Sequence, residues 1–333
     1  MNSSVSINLS EVYIPEAIIV GAQTRLIDRA VPICPRIILP SVPLLEGELK
    51  VQAQENSTTS SKQKGRLRSL ILKNQPVKHI QGSWLIDLRV NYPENWAHAF
   101  TNHLPITVQI AEKMALPESE LTLIFPADIS AKIVGLFQRF GFKTLETDRV
   151  VKGNILHFTL TPWIAIRSQR VNIVNRCLTD LTKTAKLASK EKCLADHVFL
   201  SRKDHRKLSN ENEIEQQLLS QGFRKIYLEE YSLEQQISTL AYASNIVAVH
   251  GAALGPLILR NLYNAKPYKL TEIFSPAHVT NVFRAIAYQT GGNWSGVQGK
   301  VWPELLSGKA NFSNNLDDFE ADPKSLELAM QAI

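Results

Sequence analysis

Short apolar runs alternate with amphipathic stretches along the chain from about residue 84 onward. In the first half, Leu121–Phe125 and Phe142–Leu145 are compact apolar runs, which predict two strands. Between them, Ile129–Phe140 carries apolar residues at helical spacing, which predicts an amphipathic helix. This part of the chain therefore has the pattern of a strand–helix–strand unit.

The alternation is more regular in the second half, where predicted strands and helices follow one another in series. The predicted strands are His197–Ser201, Phe223–Leu228, Ile246–His250 and Tyr268–Ile273. The predicted helices are Asn212–Gln221, Leu233–Ala243, Leu254–Asn261 and Val279–Thr290. Such a series is typical of a parallel sheet covered by helices on both faces. In these sheets ligands bind beyond the carboxyl ends of the strands.

A length of 333 residues is enough for two domains, each with its own core. We place an N-terminal α/β domain at 1–165, with a β-rich addition at its start, and a Rossmann-like domain at 191–310. A helix over 166–190 is expected to connect them, and 311–333 is expected to be a tail or a returning helix. The fold class predicted is therefore α/β with two domains.

The composition, 44% hydrophobic and 20% charged, is that of a soluble globular protein. No run approaches the roughly eighteen apolar residues of a membrane span, and residues 1–4 lack the pattern of a signal peptide. We therefore expect the protein in the cytoplasm. Cys34, Cys177 and Cys193 are odd in number and lack paired spacing, which favours reduced thiols over disulfides or a zinc site.

The net charge of +6 suits anionic partners, and its basic residues are concentrated in one segment. Between Glu55 and Asp87 the chain has no acidic residue, but it carries Lys62, Lys64, Arg66, Arg68, Lys73 and Lys78. Residues 62–78 are either a solvated loop or a peripheral contact with an anionic membrane or a lipid-linked acceptor. The segment has no interleaved aromatic residues that stack bases, which disfavours a nucleic-acid partner.

The predicted strand Ile246–His250 is followed by a turn of small residues, Gly251, Ala252 and Ala253, before the helix that begins at Leu254. Small residues let backbone N–H groups approach a ligand, and a helix N-terminus favours a phosphate. The His250 imidazole can donate a hydrogen bond to a phosphate or sugar oxygen at this strand end. The alternative is a turn that serves only close packing.

Charged residues follow the neighbouring predicted strands. Arg202 lies at the same predicted edge as His250, and a guanidinium fork suits a diphosphate because it can hold two oxygens at once. Arg206 or Lys203 would add a second cation. Glu272 closes the next strand, where a carboxylate can accept both hydroxyls of a ribose. The alternatives are a solvated basic loop and an ordinary edge carboxylate.

These residues, taken together, resemble glycosyltransferase family 61, which includes many bacterial capsular-polysaccharide proteins. Ser201–Glu211 resembles the family's Ser-Arg, Arg, Asn-Glu signature, and Ala243–Leu254 resembles the segment leading into its His-Gly-Ala-Gly-Leu turn. Asn95–Pro105 resembles its motif of a His, an acid four residues later, and then Leu-Pro. Tyr231–Ile237 and Asn281–Arg284 follow in the family's order, so the resemblance covers roughly residues 90 to 290.

The resemblance implies a GT-B-like architecture, in which two Rossmann-like domains with parallel sheets face a central cleft, with the first domain on the acceptor side. It also implies inverting transfer from a nucleotide-sugar donor to a glycan or lipid-linked acceptor, in capsule or exopolysaccharide synthesis. The chain has no Asp-x-Asp pair for a nucleotide-bound metal. We therefore expect no metal and no cofactor, with the donor phosphates held by Arg202, Arg206 and the helix start after His250.

The chain departs from the family pattern in the turn and in the first motif. Ala253 replaces the second glycine, and Gly255-Pro256 replaces a polar pair, which can alter the donor contacts. Asn102 stands where an acid is usual, and an amide cannot be the general base because it cannot accept the acceptor's proton. Asn102 can still orient the acceptor. The base is then expected to be His98, with His103 second, since a neutral imidazole is competent near pH 7.

Other readings stay compatible with the sequence. The motif around His98 can instead cap and pack its helix. A catalytically silent nucleotide-sugar-binding or assembly protein with the same fold is the main alternative to an active transferase, and Asn102 and the altered turn favour it. A Rossmann dehydrogenase is disfavoured because no Gly-x-Gly-x-x-Gly run follows a strand.

Overall fold

The structure is a computed structural model of the chain. It describes residues 4–9, 12–21, 36–39, 41–44, 47–60, 76–90, 92–161, 174, 188–263, 266–301 and 316–333. The chain divides into two compact units. Unit 1 comprises Met1–Val12 and Leu44–Leu187, and unit 2 comprises Tyr13–Pro43 and Ala188–Ile333.

The secondary structure alternates as an α/β protein does. The strands are β1 Ser4–Leu9, β2 Val12–Ile14, β3 Ala17–Val20, β4 Arg36–Leu39, β5 Val42–Leu44, β6 Gly47–Thr59, β7 Lys78–Asp87, β8 Leu121–Phe125, β9 Lys143–Glu146, β10 Val151–Thr161, β11 His197–Leu200, β12 Arg224–Ile226, β13 Asn245–Val249, β14 Tyr268–Phe274 and β15 Gly292–Gln298. The α-helices are Trp96–His98, Leu104–Met114, Ala131–Arg139, Glu211–Leu219, Leu233–Tyr242, Val282–Gln289 and Pro323–Gln331. A π-helix spans Ala99–His103, and 3₁₀-helices span Glu118–Glu120, Lys190–Lys192, Leu228–Glu230 and Ala252–Tyr263.

Unit 1 is built on a mixed sheet in the order β1-β6-β10-β7-β8-β9. The four strands β10, β7, β8 and β9 run parallel to one another, whereas β6 runs antiparallel to both β1 and β10. Leu85, Ile124, Val151 and Ile155 pack together in the core of this sheet. The parallel part brings the carboxyl ends of β7 and β8 to one edge, which is where the chain leaves toward the π-helix.

Arg89 fixes the segment that follows β7. Its guanidinium forms a two-point pair with the Asp87 carboxylate, at 2.9 and 2.7 Å, and donates to the backbone carbonyls of Thr147 (3.1 Å) and Arg149 (2.8 Å). Burial of an arginine is tolerated only when its charge and its N–H groups find partners. The pair therefore ties the end of β7 to the loop between β9 and β10.

Unit 2 is built on a sheet in the order β12-β11-β13-β14-β15-β3-β4. All neighbours from β12 to β3 are parallel, and β4 closes the edge antiparallel to β3. Buried residues from consecutive strands form one line through the core, among them Phe199, Val247, Ile273 and Val297. Helix Leu233–Tyr242 begins with a capping box, in which the Ser232 hydroxyl and the Gln235 side chain each accept a backbone N–H.

The strand order of unit 2 contains a topological switch point. The chain passes from β11 outward to β12, then returns across β11 to β13 and proceeds to β14 and β15. The connection after β11 therefore leads to one side of the sheet, and the connection after β13 leads to the other side. This leaves a crevice between the carboxyl ends of these two strands. Open α/β sheets bind their ligands in this crevice.

Residues Tyr13–Pro43 belong to unit 2, although they come early in the chain. Strand β3 pairs in parallel with β15, and the Arg284 guanidinium donates to the Pro15 carbonyl. The Ser325 hydroxyl donates to the Gly21 carbonyl at 2.6 Å, which ties in helix Pro323–Gln331. A pattern of local apolar runs does not reveal this position, because the pairing partners lie far away in sequence.

The predicted α/β class and the predicted alternation are confirmed. The eight elements predicted between residues 197 and 290 all occur, with ends shifted by a few residues and with the predicted helix at Leu254–Asn261 formed as a longer 3₁₀-helix. Residues 311–333 include a returning helix, Pro323–Gln331. The predicted connecting helix at 166–190 lies largely outside the described residues, as does most of the basic segment 62–78. No described helix is both long and apolar enough to cross a membrane.

Asn210 provides a test of how the C-terminal segment is held in unit 2. Its amide donates to the Ala321 carbonyl (2.8 Å) and accepts from the Ala321 N–H (3.1 Å). We expect Asn210→Ala to lower the free energy of unfolding by about 2 kcal/mol, since the two part-buried hydrogen bonds to Ala321 and an exposed one to the Glu213 carboxylate are lost. Urea denaturation monitored by circular dichroism measures this change.

The matched control is Asn261→Ala, which removes a single exposed hydrogen bond to the Gln289 carbonyl. Its expected cost is below about 1 kcal/mol. Equal losses of unfolding free energy in the two variants would contradict the role of Asn210 in holding the C-terminal segment.

Candidate functional site

The carboxyl edge of the unit 2 sheet brings together four of the residues that the sequence singles out. Arg202 and Arg206 lie in the loop after β11, His250 follows β13, and Glu272 lies near the end of β14. The first three flank the switch point between β11 and β13. They are close together because the carboxyl ends of parallel strands meet at one edge.

Glu272 is the centre of this group, and it has no exposed surface. One of its carboxylate oxygens lies 2.5 Å from His250 Nδ1, and the other accepts from the Trp294 indole N–H at 2.9 Å. A buried carboxylate needs such partners because an unpaired charge is costly away from water. The contact places the proton on His250 Nδ1 and leaves Nε2 as the ring nitrogen that is not used by Glu272.

The expectation that Glu272 binds ribose hydroxyls does not fit this geometry. Both carboxylate oxygens already have side-chain partners, and no part of the residue reaches the surface. Glu272 instead orients His250, whose ring also stacks on Phe274 with centroids 5.0 Å apart. The His250 side chain keeps 10% of its surface exposed.

Arg202 lies across the turn that follows β13. Its Nε donates to the His205 carbonyl at 2.8 Å, and Nη1 donates to the His250 carbonyl at 3.2 Å. A Cβ atom on Gly251 would lie 1.7 Å from the same Nη1. The glycine therefore makes room for the Arg202 side chain, whereas the sequence suggested room for a ligand against the backbone.

Arg206 lies beside Arg202 in the same loop, and its backbone is in the left-handed region with a φ of 59°. Its Nε is buried with no hydrogen-bond partner among the described residues. Burial, and then the nearby charge of Arg202, lowers the pKa of Arg206 to about 10, while Glu272 acts in the opposite direction. Burial also lowers the pKa of Arg202, opposed by Glu229 and Asp204.

Neither guanidinium forms an ion pair with a carboxylate in the part of the chain that the structure describes. Two desolvated cations side by side repel each other, and an anion between them removes that cost. The edge therefore favours an anionic ligand, for which the two forks supply donors.

Two further residues at this edge were missed by reasoning from the sequence. His278, in the loop after β14, places its ring centroid 5.3 Å from that of His250. Trp294, in β15, supplies the indole N–H to Glu272. The available signal for His278 was its position four residues after the end of β14, at the same edge. No local signal existed for Trp294, because its role comes from the pairing of β14 with β15.

The electrostatic environment of His278 keeps its imidazole neutral. Burial, followed by the neighbouring charges of His250 and Arg206, lowers the pKa of His278 to about 4. At neutral pH the ring has one N–H donor and one acceptor nitrogen.

The Asn-Glu pair of the motif Ser201–Glu211 has a structural role. The Ser201 hydroxyl donates to one Glu211 carboxylate oxygen, and the Tyr227 hydroxyl donates to the other at 2.9 Å. These contacts close the ends of the loop that carries Arg202 and Arg206. In the turn, Ala252 and Ala253 are half-buried at the start of the 3₁₀-helix.

Leu254 is placed differently from what the sequence suggested, because its side chain is fully buried in the core. It therefore contributes packing and not a ligand contact. Gly251 and the two alanines are the small residues that keep this edge open.

The three histidine-motif residues of the first half lie in unit 1. Asn102 and His103 are in the π-helix and are 2% and 1% exposed, so both lie inside unit 1. His98 precedes the π-helix, is partly exposed, and has Tyr92 at an edge-to-face centroid distance of 6.0 Å. Of the two candidate bases, His98 is the one an acceptor can reach. A π-turn within a helix often marks a functional site.

The described residues contain no cluster of three or more His, Cys, Asp or Glu side chains arranged to hold a metal ion. Cys193 is a free thiol, and burial raises its pKa.

A comparison with protein families gives a match over much of the chain. The model of the family described as Glycosyltransferase 61 matches residues 34–261, which is more than half of the chain. The match includes Arg202, Arg206, His250 and the first motif, whereas Glu272, His278 and Trp294 lie beyond it. No curated protein matches the chain.

The close approach of Arg202 to Gly251 makes a testable prediction. Gly251→Ala places a methyl group where Nη1 lies, so the guanidinium must move away from the turn. We expect the affinity for inorganic pyrophosphate, measured by calorimetry, to fall about tenfold or more, as for loss of a charge-assisted contact. Because a flexible side-chain end can shift, stability should change by less than about 1 kcal/mol.

Gly135→Ala is the matched control, since a Cβ there meets nothing within 4 Å. In helix Ala131–Arg139 it should leave pyrophosphate binding unchanged and raise stability by about 0.5–1 kcal/mol. An unchanged affinity in Gly251→Ala would show that the position of Arg202 is unimportant for the anion.

The low pKa of His278 predicts a dependence of stability on pH. The unfolded chain binds a proton at this histidine near pH 6.5, whereas the folded chain does so only near pH 4. Stability from the neutral ring is thus complete above about pH 6.5 and is lost as the pH falls toward 4.

Thermal melting of the wild type should therefore fall more steeply over this pH range than melting of His278→Gln, which cannot take up the proton. Parallel curves for the two proteins would contradict the assignment.

Proposed function

The chain belongs to glycosyltransferase family 61, and from this premise we propose that it is an inverting enzyme that uses a nucleotide-sugar donor. As a glycosyltransferase it takes a sugar donor and an acceptor. The observation that carries the proposal is the pair of guanidiniums of Arg202 and Arg206 at the switch point, neither of which forms an ion pair with a carboxylate among the described residues. Two arginine forks at this place in a Rossmann-like sheet suit the linked phosphates of a nucleoside diphosphate.

His250 is proposed to act on the leaving group. With Glu272 holding Nδ1, the ring is proposed to present Nε2 to the donor phosphate. The pair resembles the orienting carboxylate and imidazole of other catalytic sites, where the carboxylate fixes the tautomer and the ring orientation. Together with the arginines, His250 balances charge that develops as the sugar–phosphate bond breaks.

The two arginines also support the expectation that transfer needs no metal ion. Their positive charge can take the part that a divalent cation plays against donor phosphates elsewhere. We therefore propose transfer that continues when a chelator is present.

The acceptor is proposed to bind at the motif of unit 1. Asn102 cannot remove a proton, so His98 is the proposed general base, since the neutral imidazole is competent near pH 7. The GT-B arrangement, in which unit 1 and unit 2 face each other across a cleft, is part of the same proposal.

The biological setting is proposed from the family and the sequence. The acceptor would be a glycan or a lipid-linked glycan in capsule or exopolysaccharide synthesis. The enzyme would act in the cytoplasm, with the basic segment 62–78 as a peripheral contact at the membrane.

One observation favours a second candidate function. Asn102 replaces the usual acid, so a silent protein that binds nucleotide-sugars for assembly is the alternative. Binding without turnover would distinguish it from the enzyme.

The first experiment is a thermal-shift and calorimetry screen with UDP, GDP, CMP, UDP-sugars and GDP-sugars. We expect selective binding by the wild type and at least a tenfold loss in Arg202→Ala, because a charge-assisted contact is removed. Arg224→Ala is the control, since this exposed arginine begins β12 at the opposite edge and donates a hydrogen bond to the Leu194 carbonyl.

The second step follows the bound donor in a transfer assay, with and without a chelator, and determines the anomeric configuration of the product by NMR. His98→Gln should lose turnover and keep donor affinity. Absence of any selective binding would overturn the donor site, and retained configuration would overturn the inverting mechanism.

A further inference from the structure

His278 is a polar side chain of the candidate site that the proposed mechanism does not use. It lies in the loop between β14 and helix Val282–Gln289, beyond the residues that the family model matches. Its backbone N–H donates to the Ser275 carbonyl at 3.0 Å, which closes a tight turn from which the side chain projects.

The ring of His278 is placed among the groups that hold the anion. Its centroid lies 5.3 Å from that of His250, and its electrostatic neighbours are His250 and Arg206. No hydrogen bond joins its ring nitrogens to a residue in the part of the chain that the structure describes. A partly buried N–H without a protein partner is costly unless water or a ligand accepts it.

The chemistry of the ring matches what phosphate needs. A phosphate oxygen only accepts hydrogen bonds, and a neutral imidazole offers one N–H donor. Because His278 stays neutral at physiological pH, it adds a donor beside Arg206 without adding a third permanent positive charge.

We propose that His278 donates a hydrogen bond to a phosphate of a nucleoside diphosphate held by Arg202 and Arg206, and so helps to select a diphosphate-linked donor. The inference rests on the proposed function, since it assigns a further residue to the same donor site. His278 is a binding residue in this assignment, alongside the arginines and His250.

Two variants distinguish a purely structural role of His278 from the proposed role in binding phosphate. His278→Phe keeps an aromatic ring against His250 and removes the N–H donor. His278→Gln loses the ring and returns an N–H donor on a side chain of similar reach. A packing role predicts that Phe preserves binding, whereas the proposed role predicts that Gln preserves more of it.

The experiment is calorimetry with UDP and GDP on the full chain. For the nucleotide that the wild type binds, His278→Phe should weaken the affinity about tenfold, as for a hydrogen bond to a charged group. His278→Gln should recover part of that loss. The control is His197→Phe, because His197 begins β11 at the opposite edge and also packs against an aromatic ring, that of Phe223.

The outcomes separate this inference from the proposed function. Wild-type affinity in His278→Phe, with a loss in Arg202→Ala, overturns the role of His278 and leaves the donor site standing. If the wild type binds CMP but neither UDP nor GDP, only the proposed preference of the site for a diphosphate-linked donor is overturned. If the wild type binds no nucleotide, the proposed function and this inference fall together.

Discussion

The burial of the Glu272 carboxylate is the constraint on which the rest of the candidate site depends. A charge without exposure is tolerated only with hydrogen-bonded partners, and here these come from the residue after β13 and from β15, on either side of β14. The pairing therefore fixes the tautomer and orientation of His250 and links three strands at their carboxyl edge. The ring of His250, held in this orientation, contacts the rings of Phe274 and His278.

The described residues include buried arginines, such as Arg89 and Arg260, and the half-buried Arg202 and Arg206, and the two groups differ in their partners. Arg89 is paired with Asp87 and two carbonyls. Arg260 donates to the Leu240 and Lys266 carbonyls and lies over the Tyr268 ring at 4.0 Å. Both hold structure through partners within the protein, although the Arg260 Nε, like that of Arg206, has no hydrogen-bond partner among the described residues. Arg202 donates only to backbone carbonyls, and the Arg206 Nε is buried without a partner in the described chain. These are the cations that an external anion would complete, because no carboxylate among the described residues forms a direct ion pair with either of them.

Motif residues divide in the same way between scaffold and site. Glu211 accepts from Ser201 and Tyr227 and so closes the arginine loop. Asn210 holds the C-terminal segment through Ala321. Gly251 is required by the Arg202 side chain that crosses the turn. The motif therefore identifies the loop that carries the arginines. The contacts in the structure then distinguish the residues that hold this loop in place from those available to a ligand.

The sequence by itself determined the order of strands and helices between residues 197 and 290 of unit 2, because the period of apolar residues reports burial locally. It also placed Arg202 and His250 at one edge, since parallel strands align their carboxyl ends. Only the tertiary structure decided that Glu272 is fully buried and that Trp294 and His278 contact Glu272 and His250. It also decided that residues Tyr13–Pro43 extend the sheet of unit 2. It also placed His103 and Leu254 in the interior. These outcomes depend on which distant strands pair and on what fills the space between them, and local hydrophobic patterns carry no information about either.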